Sequence, residues 1–263
     1  MAALRLTVLG SGTSMGVPTL GCACGVCHSR NPRDRRTRSS VLLRARGRNV
    51  VIDTTPDFRA QALRERLNRL DGVVFTHAHA DHILGLDDIR PFNIKQNADI
   101  PLYAAPDTLA TLRRTFAYIF DASNDSNTLP RISLNPIDGA FDPFQIAGER
   151  LLLAPVPARH GPGEVLGFRF GRAAYLTDFS SLPEPSKDLL RGLDDLILDA
   201  LRYTPHPMHS NVEQSLALVS ELRPRRAWFT HICHDLPHHK TNHRLPANVK
   251  LAYDGLSFEV KTT

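Results

Sequence analysis

The sequence predicts a mixed α/β protein folded as one unit over residues 1–263. Strand-like and helix-like segments are mixed from one end to the other, the pattern of an α/β body. No internal repeat, low-complexity tract or linker divides the chain. The composition, 42% apolar and 22% charged, is that of a globular chain. The length exceeds an average domain but lies within what one α/β unit fills.

The elements follow in order. Leu4–Gly10 reads as a first strand, running into the loop GSGTSMGVP and then a cysteine-rich, basic loop. Val41–Arg44 and Asn49–Ile52 read as strands joined by a turn around Gly47. Pro56 marks a helix start, and Asp57–Leu70 carries helical spacing at Phe58, Leu63, Leu67 and Leu70. Gly72–Thr76 is a short buried strand, Ile83–Ile94 a helix, Ile100–Ala104 a strand and Asp107–Ile119 a helix. Asp121–Pro130 is polar and turn-rich, a surface loop. Strands are expected at Arg131–Pro136, Phe144–Ile146, Leu151–Pro157, Val165–Phe170 and Ala173–Thr177. Ser186–Arg191 reads as a helix, Asp195–Asp199 as a strand, Val212–Leu222 as a helix and Ala227–Thr230 as a strand. Val249–Tyr253 and Leu256–Val260 are expected as closing strands.

Bulk features narrow the function. No apolar run approaches the roughly 20 residues a bilayer span needs, so no membrane partner is expected. MAALRLTVLG lacks the features of a signal peptide, and a cytoplasmic protein is expected. Cys22, Cys24 and Cys27 crowd into six residues, with Cys233 far away. That spacing suits a metal better than disulfides. The formal charge of +5 invites a nucleic-acid reading. The notable cluster, Arg30 to Arg38, lacks interleaved aromatics, so it reads as a solvated basic loop or a contact for an acidic ligand. Of the 12 histidines, ten bunch at 77–82, 206–209, 231–234 and 238–243.

The strongest signal is Thr76-His77-Ala78-His79-Ala80-Asp81-His82. In an extended segment alternate side chains point the same way, so His77 and His79 can grip one ion. Asp81 and His82 follow as the chain enters a helix and offer a second position, suited to Zn²⁺, Mn²⁺ or Fe²⁺. Separately, Cys22, Cys24 and Cys27 supply three thiolates. Tetrahedral zinc wants a fourth ligand, for which His234, His28 and Cys233 compete.

The HxHxDH run resembles the signature of the metallo-β-lactamase superfamily. The resemblance implies an αββα four-layer sandwich and three more ligands at strand ends: His160, Asp178 and His231. It implies that Asp178 bridges two ions, with His77, His79 and His160 on one and Asp81, His82 and His231 on the other. It also implies that Asp53, after NVVID, supports the metal loop by hydrogen bonds rather than binding metal. The CxCxxC loop with a HxxH at the last metal strand is similar to the phosphoribosyl 1,2-cyclic phosphate phosphodiesterases of the carbon–phosphorus lyase pathway. That likeness implies a structural zinc on Cys22, Cys24, Cys27 and His234, and it runs from LTVLGSGTSMGVP to YDGLSFEV. A pyrroloquinoline quinone biosynthesis branch shares the cysteine loop but generally has a degraded HxHxDH, whereas every ligand is kept here.

The expected chemistry is hydrolysis of a small cyclic or linear phosphodiester by a hydroxide bridging two divalent ions. Two such ions with Asp81, Asp178 and the hydroxide leave a centre near +1, which favours an anionic substrate. Asp81 and His209 are the expected catalytic residues. The resemblance places the acid upstream of the last metal strand, where His209 fits and His206 lies three residues earlier. Ser210-Asn211 reads as a helix start that could hold phosphate. Arg90 and Asn93 either reach substrate or line a solvated helix face. Other readings are a tRNA 3′-end nuclease, a glyoxalase-type thioesterase and a zinc-dependent nucleic-acid-binding module without catalysis. The family alone suggests a homodimer.

Overall fold

A computed structural model describes residues 4–121, 129–139, 141–148 and 151–262. The first sheet contains β1 (Leu4–Gly10), β2 (Ser40–Ala45), β3 (Arg48–Ile52), β4 (Gly72–Val74), β5 (Ile100–Ala104) and β6 (Ile132–Pro136), with β14 (Ser257–Val260) returning beside β1. The second contains β7 (Phe144–Ile146), β8 (Leu151–His160), β9 (Gly163–Phe170), β10 (Ala173–Leu176), β11 (Asp195–Asp199), β12 (Arg226–Thr230) and β13 (Val249–Leu251), adjacent in reverse numerical order from β13 to β7.

Strand alternation decides the layers. In β2, Val41 and Leu43 face a core between the sheets, where Leu6 and Ile52 meet Leu153, Phe168, Tyr175 and Ile197. Leu42 points the other way, into a core under the helices that cover the first sheet, with Phe58, Ile83, Phe92 and Leu112. A third core, built on Leu176, Leu196 and Phe229, is closed by Leu190, Val219 and Leu245. Strands buried on both faces read as near-continuous apolar runs, as DLILD and GVV do. The result is the αββα sandwich.

The helices depart from expectation where tertiary contacts interrupt them. α1 (Phe58–Arg64) stops short of the expected Leu70. Arg66 turns left-handed at φ 50°, and Arg44 donates to the Glu65 carbonyl at 2.9 Å. Leu63, placed on the apolar face by its spacing, is 63% exposed. The expected helix Ile83–Ile94 is instead α2 (Ala80–Ile83), a 3-10 turn (Leu86–Ile89) and α3 (Arg90–Gln96). Gly85 breaks it: its N–H bonds the Thr54 carbonyl, and a Cβ there would stand 2.0 Å from the Thr55 carbonyl oxygen. Asp107–Ile119 splits at Phe116 into α4 (Pro106–Thr115) and α5 (Ala117–Phe120). Of the expected loop Asp121–Pro130, residues 122–128 lie outside the described residues.

β8 runs on to His160 rather than ending at Pro157. β7 pairs only with Leu151–Leu153 and Ser181 bridges Arg159, so between them Pro155 and Pro157 lie on an edge where they lose no ladder bond. α6 (Glu184–Leu189) and α7 (Val212–Leu222) form close to where expected. α8 (His238–Arg244) was not anticipated, and β13 is shorter than Val249–Tyr253.

Phe168 is fully buried in the central core and packs against Phe144 at a ring separation of 6.3 Å. Phe168→Ala is expected to lower unfolding free energy by about 3–5 kcal/mol in urea melts. Leu63→Ala, on the exposed face, should stay within about 0.5 kcal/mol.

Candidate metal centre

The chemistry-bearing residues gather where strands end. Asp53 follows β3, His77 and His79 follow β4, His160 closes β8, Asp178 follows β10, Asp199 closes β11 and His231 follows β12. β3 and β4 are parallel, as are β10, β11 and β12, so these carboxyl ends share one rim of the sandwich. Three of the residues are left-handed: Asp53 (φ 67°), Asp178 (φ 55°) and His231 (φ 56°). Non-glycine residues held there cost about 1–3 kcal/mol each and concentrate at functional sites.

Four overlapping groups of ligand atoms form on this rim among the described residues; two include His209, with His160 and Asp178 or with Asp199 and His231, and two do not. Ligand atoms of His77, His79 and His160 lie within 4.8 Å of one another, as do those of Asp81, His82, Asp178 and His231. These are the two groups the motif implied. The fit to a cation is tested by their geometry. His82 Nε2 is 3.2 Å from both Asp81 Oδ2 and Asp178 Oδ2, and His231 Nε2 is 3.2 Å from Asp178 Oδ1. Ligand atoms on bonds of about 2.1 Å to one ion stand roughly 2.9–3.4 Å apart. The Nε2 atoms of His77, His82 and His231 are buried without a hydrogen-bond partner. Bare buried nitrogens are costly, and a divalent ion is the partner this donor set fits.

The Nδ1 atoms of His160, His82 and His77 are tied down, which turns their Nε2 atoms toward the centre. His160 Nδ1 lies 2.8 Å from the Met208 carbonyl, which only accepts, so Nδ1 carries the proton. His82 Nδ1 is 2.7 Å from Asp53 Oδ2. Asp53 also accepts from the Thr76 amide at 2.9 Å and its hydroxyl at 2.8 Å, and that hydroxyl meets His77 Nδ1 at 2.9 Å. Asp53 thus takes the supporting position expected of it. The sequence reading missed Asp199, which is fully buried, 2.9 Å from His209 Nδ1 and 3.8 Å from His231 Nδ1. Its only sequence signal was a place at the end of DLILD. His209 itself stacks on His231 and stands edge-on to His160.

Charge is concentrated inside this cluster. Burial holds His77 well below the ordinary imidazole range and lowers His160. Burial would lower His82 too, but Asp178 and Asp53 outweigh it and hold it well above that range. Asp178 and Asp199 likewise overcome burial at His231, raising it to about 9. Against burial, His231 and His82 keep Asp178 and Asp81 below the usual carboxylate range. Two imidazoles thus carry the positive charge that a divalent cation would supply with both rings neutral.

A second cluster brings Cys22, Cys24 and Cys27 to His234. Their sulfurs are 3.2, 3.7 and 3.4 Å from His234 Nδ1. A tetrahedral zinc would set S···N edges of roughly 3.6 Å. Backbone N–H groups of Cys24, Cys27 and Thr19 donate to Cys22, Cys24 and Cys27 sulfurs respectively, as thiolates require. Of the three competitors for the fourth position, His234 is the one brought in. Neither His28, which is exposed, nor Cys233 joins that group of ligand atoms.

Comparison with known proteins agrees with this geometry. The family model described as the β-lactamase superfamily domain matches residues 48–232, a span that includes every residue of the His/Asp clusters. The chain belongs to the metallo-β-lactamase superfamily. Within that superfamily it resembles a crystal structure described as a new diphosphatase from the PhnP family, at 49% identity over 99% of this chain and 100% of the other, with a TM-score of 0.90. It is 35% identical over 96% of its length to an octanoyltransferase of Porphyromonas gingivalis, covering 51% of that protein. It is 30% identical over 35% of its length to a ribonuclease Z of Bradyrhizobium diazoefficiens, covering 32% of that protein. The chain thus spans about half, or less, of these two curated relatives.

Other residues singled out in the sequence have partners within the protein. Asn93 is buried, and its amide bonds the Ala98 and Arg131 carbonyls and the Arg131 N–H. Arg90 faces Asp87 at 3.5 Å. The start of α7 is capped internally: Asn211 Oδ1 takes the Gln214 amide and the Arg202 carbonyl takes that of Val212, so these amides are not offered to phosphate. His206 is held beside His209, its Nδ1 accepting from the Met208 amide at 3.2 Å. The basic run is divided: Arg30, Arg33 and Arg35 are exposed, while Arg36 and Arg38 turn to carboxylates of the protein. Arg36 is buried on Asp34, Arg38 pairs with Asp57, and Arg33 lies over the Tyr253 ring.

Asp53→Asn is expected to lower metal affinity of the His/Asp clusters by about 10–100-fold in equilibrium dialysis, leaving zinc at the thiolates unchanged. Cys27→Ser should abolish the thiolate charge-transfer absorption of the Co²⁺-substituted protein while the His/Asp clusters still fill; an unchanged spectrum would exclude Cys27 as a ligand.

Proposed function

We propose that this protein is a metal-dependent hydrolase of a small phosphodiester, carried out in the His/Asp clusters. The observation that carries the reading is the pair of adjoining ligand sets sharing one rim with a histidine, His209, that belongs to neither. The whole-length likeness to a PhnP-family diphosphatase supports it.

His77, His79 and His160 would hold one divalent ion, and Asp81, His82 and His231 a second, with Asp178 between them. Ions there would supply positive charge to the phosphoryl group and lower the pKa of the attacking water. The water oxygen bonds to phosphorus as the bond to the leaving alkoxide breaks. That alkoxide needs a proton. Asp199 holds Nδ1 of His209, which leaves Nε2 to donate. The His209 side chain is 13% exposed, so its proton is replaced from solvent. Cys22, Cys24, Cys27 and His234 would hold a structural zinc, since four protein ligands leave no open position.

The diphosphatase neighbour favours a second substrate reading, a phosphoanhydride, whose leaving group is already a good one. The octanoyltransferase name belongs to a protein about half of which lies outside the match, and this reading takes nothing from it.

Purified protein is expected to release nitrophenol from bis(p-nitrophenyl) phosphate with Mn²⁺ or Zn²⁺, and Asp178→Ala to be inactive. No turnover with metal content confirmed would sink the reading. His209→Ala should slow hydrolysis of a ribosyl cyclic phosphate by about 10²–10⁴-fold but change nitrophenyl ester turnover little, because nitrophenolate leaves without a proton. Equal losses on both substrates would remove His209 as the acid. Relative rates on ribosyl cyclic phosphate, a nucleoside diphosphate and RNA then assign the substrate class.

A further inference from the structure

His239 and His243 are one turn apart on α8, at i and i+4, and both are exposed. Their Nε2 atoms stand 3.2 Å apart, with the rings edge-on at 70°. Histidines at this helical spacing share a face and bind zinc in other helices. Two imidazole nitrogens on bonds of about 2.0–2.1 Å to one ion are separated by roughly 2.9 Å at a right angle and 3.4 Å at the tetrahedral angle. The observed separation falls between these limits, so binding needs no rotation of either ring. At present one Nε2–H donates to the other nitrogen, and an ion would take that proton's place.

The surroundings set the class of ion. Among the described residues no third histidine, cysteine or carboxylate joins the pair in a metal-ligand group. Lys240 and Arg244 flank it in sequence. Oxygen-seeking ions such as Mg²⁺ and Ca²⁺ therefore gain nothing here, whereas imidazole suits Ni²⁺, Cu²⁺ and Zn²⁺. His239 also lines a surface cavity of about 590 Å³ together with Cys24 and His234. We infer that His239 and His243 form an exchangeable two-histidine site for a divalent transition-metal ion, at the mouth of the cavity that reaches the thiolate cluster. With two protein ligands the other positions stay with water, which makes the ion labile. The inference is independent of the hydrolytic reading.

The test is Ni²⁺ binding to the full chain, zinc-loaded and freed of excess zinc by gel filtration, in equilibrium dialysis. Wild type and Lys240→Gln are expected to take up one Ni²⁺ that His239→Gln and His243→Gln bind about a hundredfold more weakly, since either change leaves a single imidazole. Ni²⁺ should also protect His239 and His243 together from acylation by diethyl pyrocarbonate, mapped on peptides. Equal Ni²⁺ uptake by wild type and both histidine variants would overturn the site, as would protection confined to other histidines. Hydrolysis of bis(p-nitrophenyl) phosphate should be the same in all four proteins, so loss of activity alone bears on the other reading.

Discussion

The buried carboxylate of Asp53 is the constraint on which the metal rim depends. It has no exposure to solvent, and burial raises its pKa. It accepts from the Thr76 amide and hydroxyl and meets His82 Nδ1, so it fixes the loop after β4 and one ligand ring together. It reaches them only because its own backbone turns left-handed as β3 ends. The Thr54 carbonyl beside it takes the Gly85 amide, which breaks the helix after the motif and seats Asp81 and His82 over the rim. A satisfied polar network in a low-dielectric interior is stiff, because any loosened member becomes an unpaired buried group.

A second constraint couples the N-terminal loop to the last ligand strand. His231 and His234 are three residues apart but serve different clusters. Ile232 between them donates to the Ser11 carbonyl, and Thr13 donates back to the Ile232 carbonyl. Arg36, the largest fully buried side chain, donates to the carbonyls of Cys233 and Leu236 and to Asp34. Removing Asp34 would leave that guanidinium buried without its counter-charge, a far greater loss than breaking a surface pair. The thiolate cluster therefore sits where it can hold the His231 strand end against the rest of the rim.

Much of this was legible in the sequence, and what was not has physical causes. The strands were readable because both sheets are buried on both faces, so GVV and DLILD are unbroken apolar runs. The His/Asp clusters were readable because His77, His79, Asp81 and His82 are local in sequence and His160, Asp178 and His231 lie at strand ends. α8 was not readable: HHKTNHR has no apolar period, and the helix rests on Pro237 and on Leu245 beyond its end. Asn93 was misread because an exposed helix face and a buried amide bonded to Arg131 look alike in one dimension. In the basic run only Arg36 departs from a solvated loop, since it finds its partners 197 and 200 residues away.

Within the rim, the proposed metal ligands and the proposed acid share one buried neighbour, Asp199. Asp199 faces both His209 and His231, yet touches only the ring nitrogen of each that points away from the centre. One carboxylate can therefore orient a ligand and a proton donor without entering either ligand set. Its Oδ2 holds His209, while Oδ1 is buried without a hydrogen bond. His231 Nδ1 lies 3.8 Å from that oxygen, beyond hydrogen-bond distance. Asp199→Asn would keep the shape while removing the charge that both rings share. On the proposed roles, its effect would then fall on proton donation and on the surroundings of His231 together.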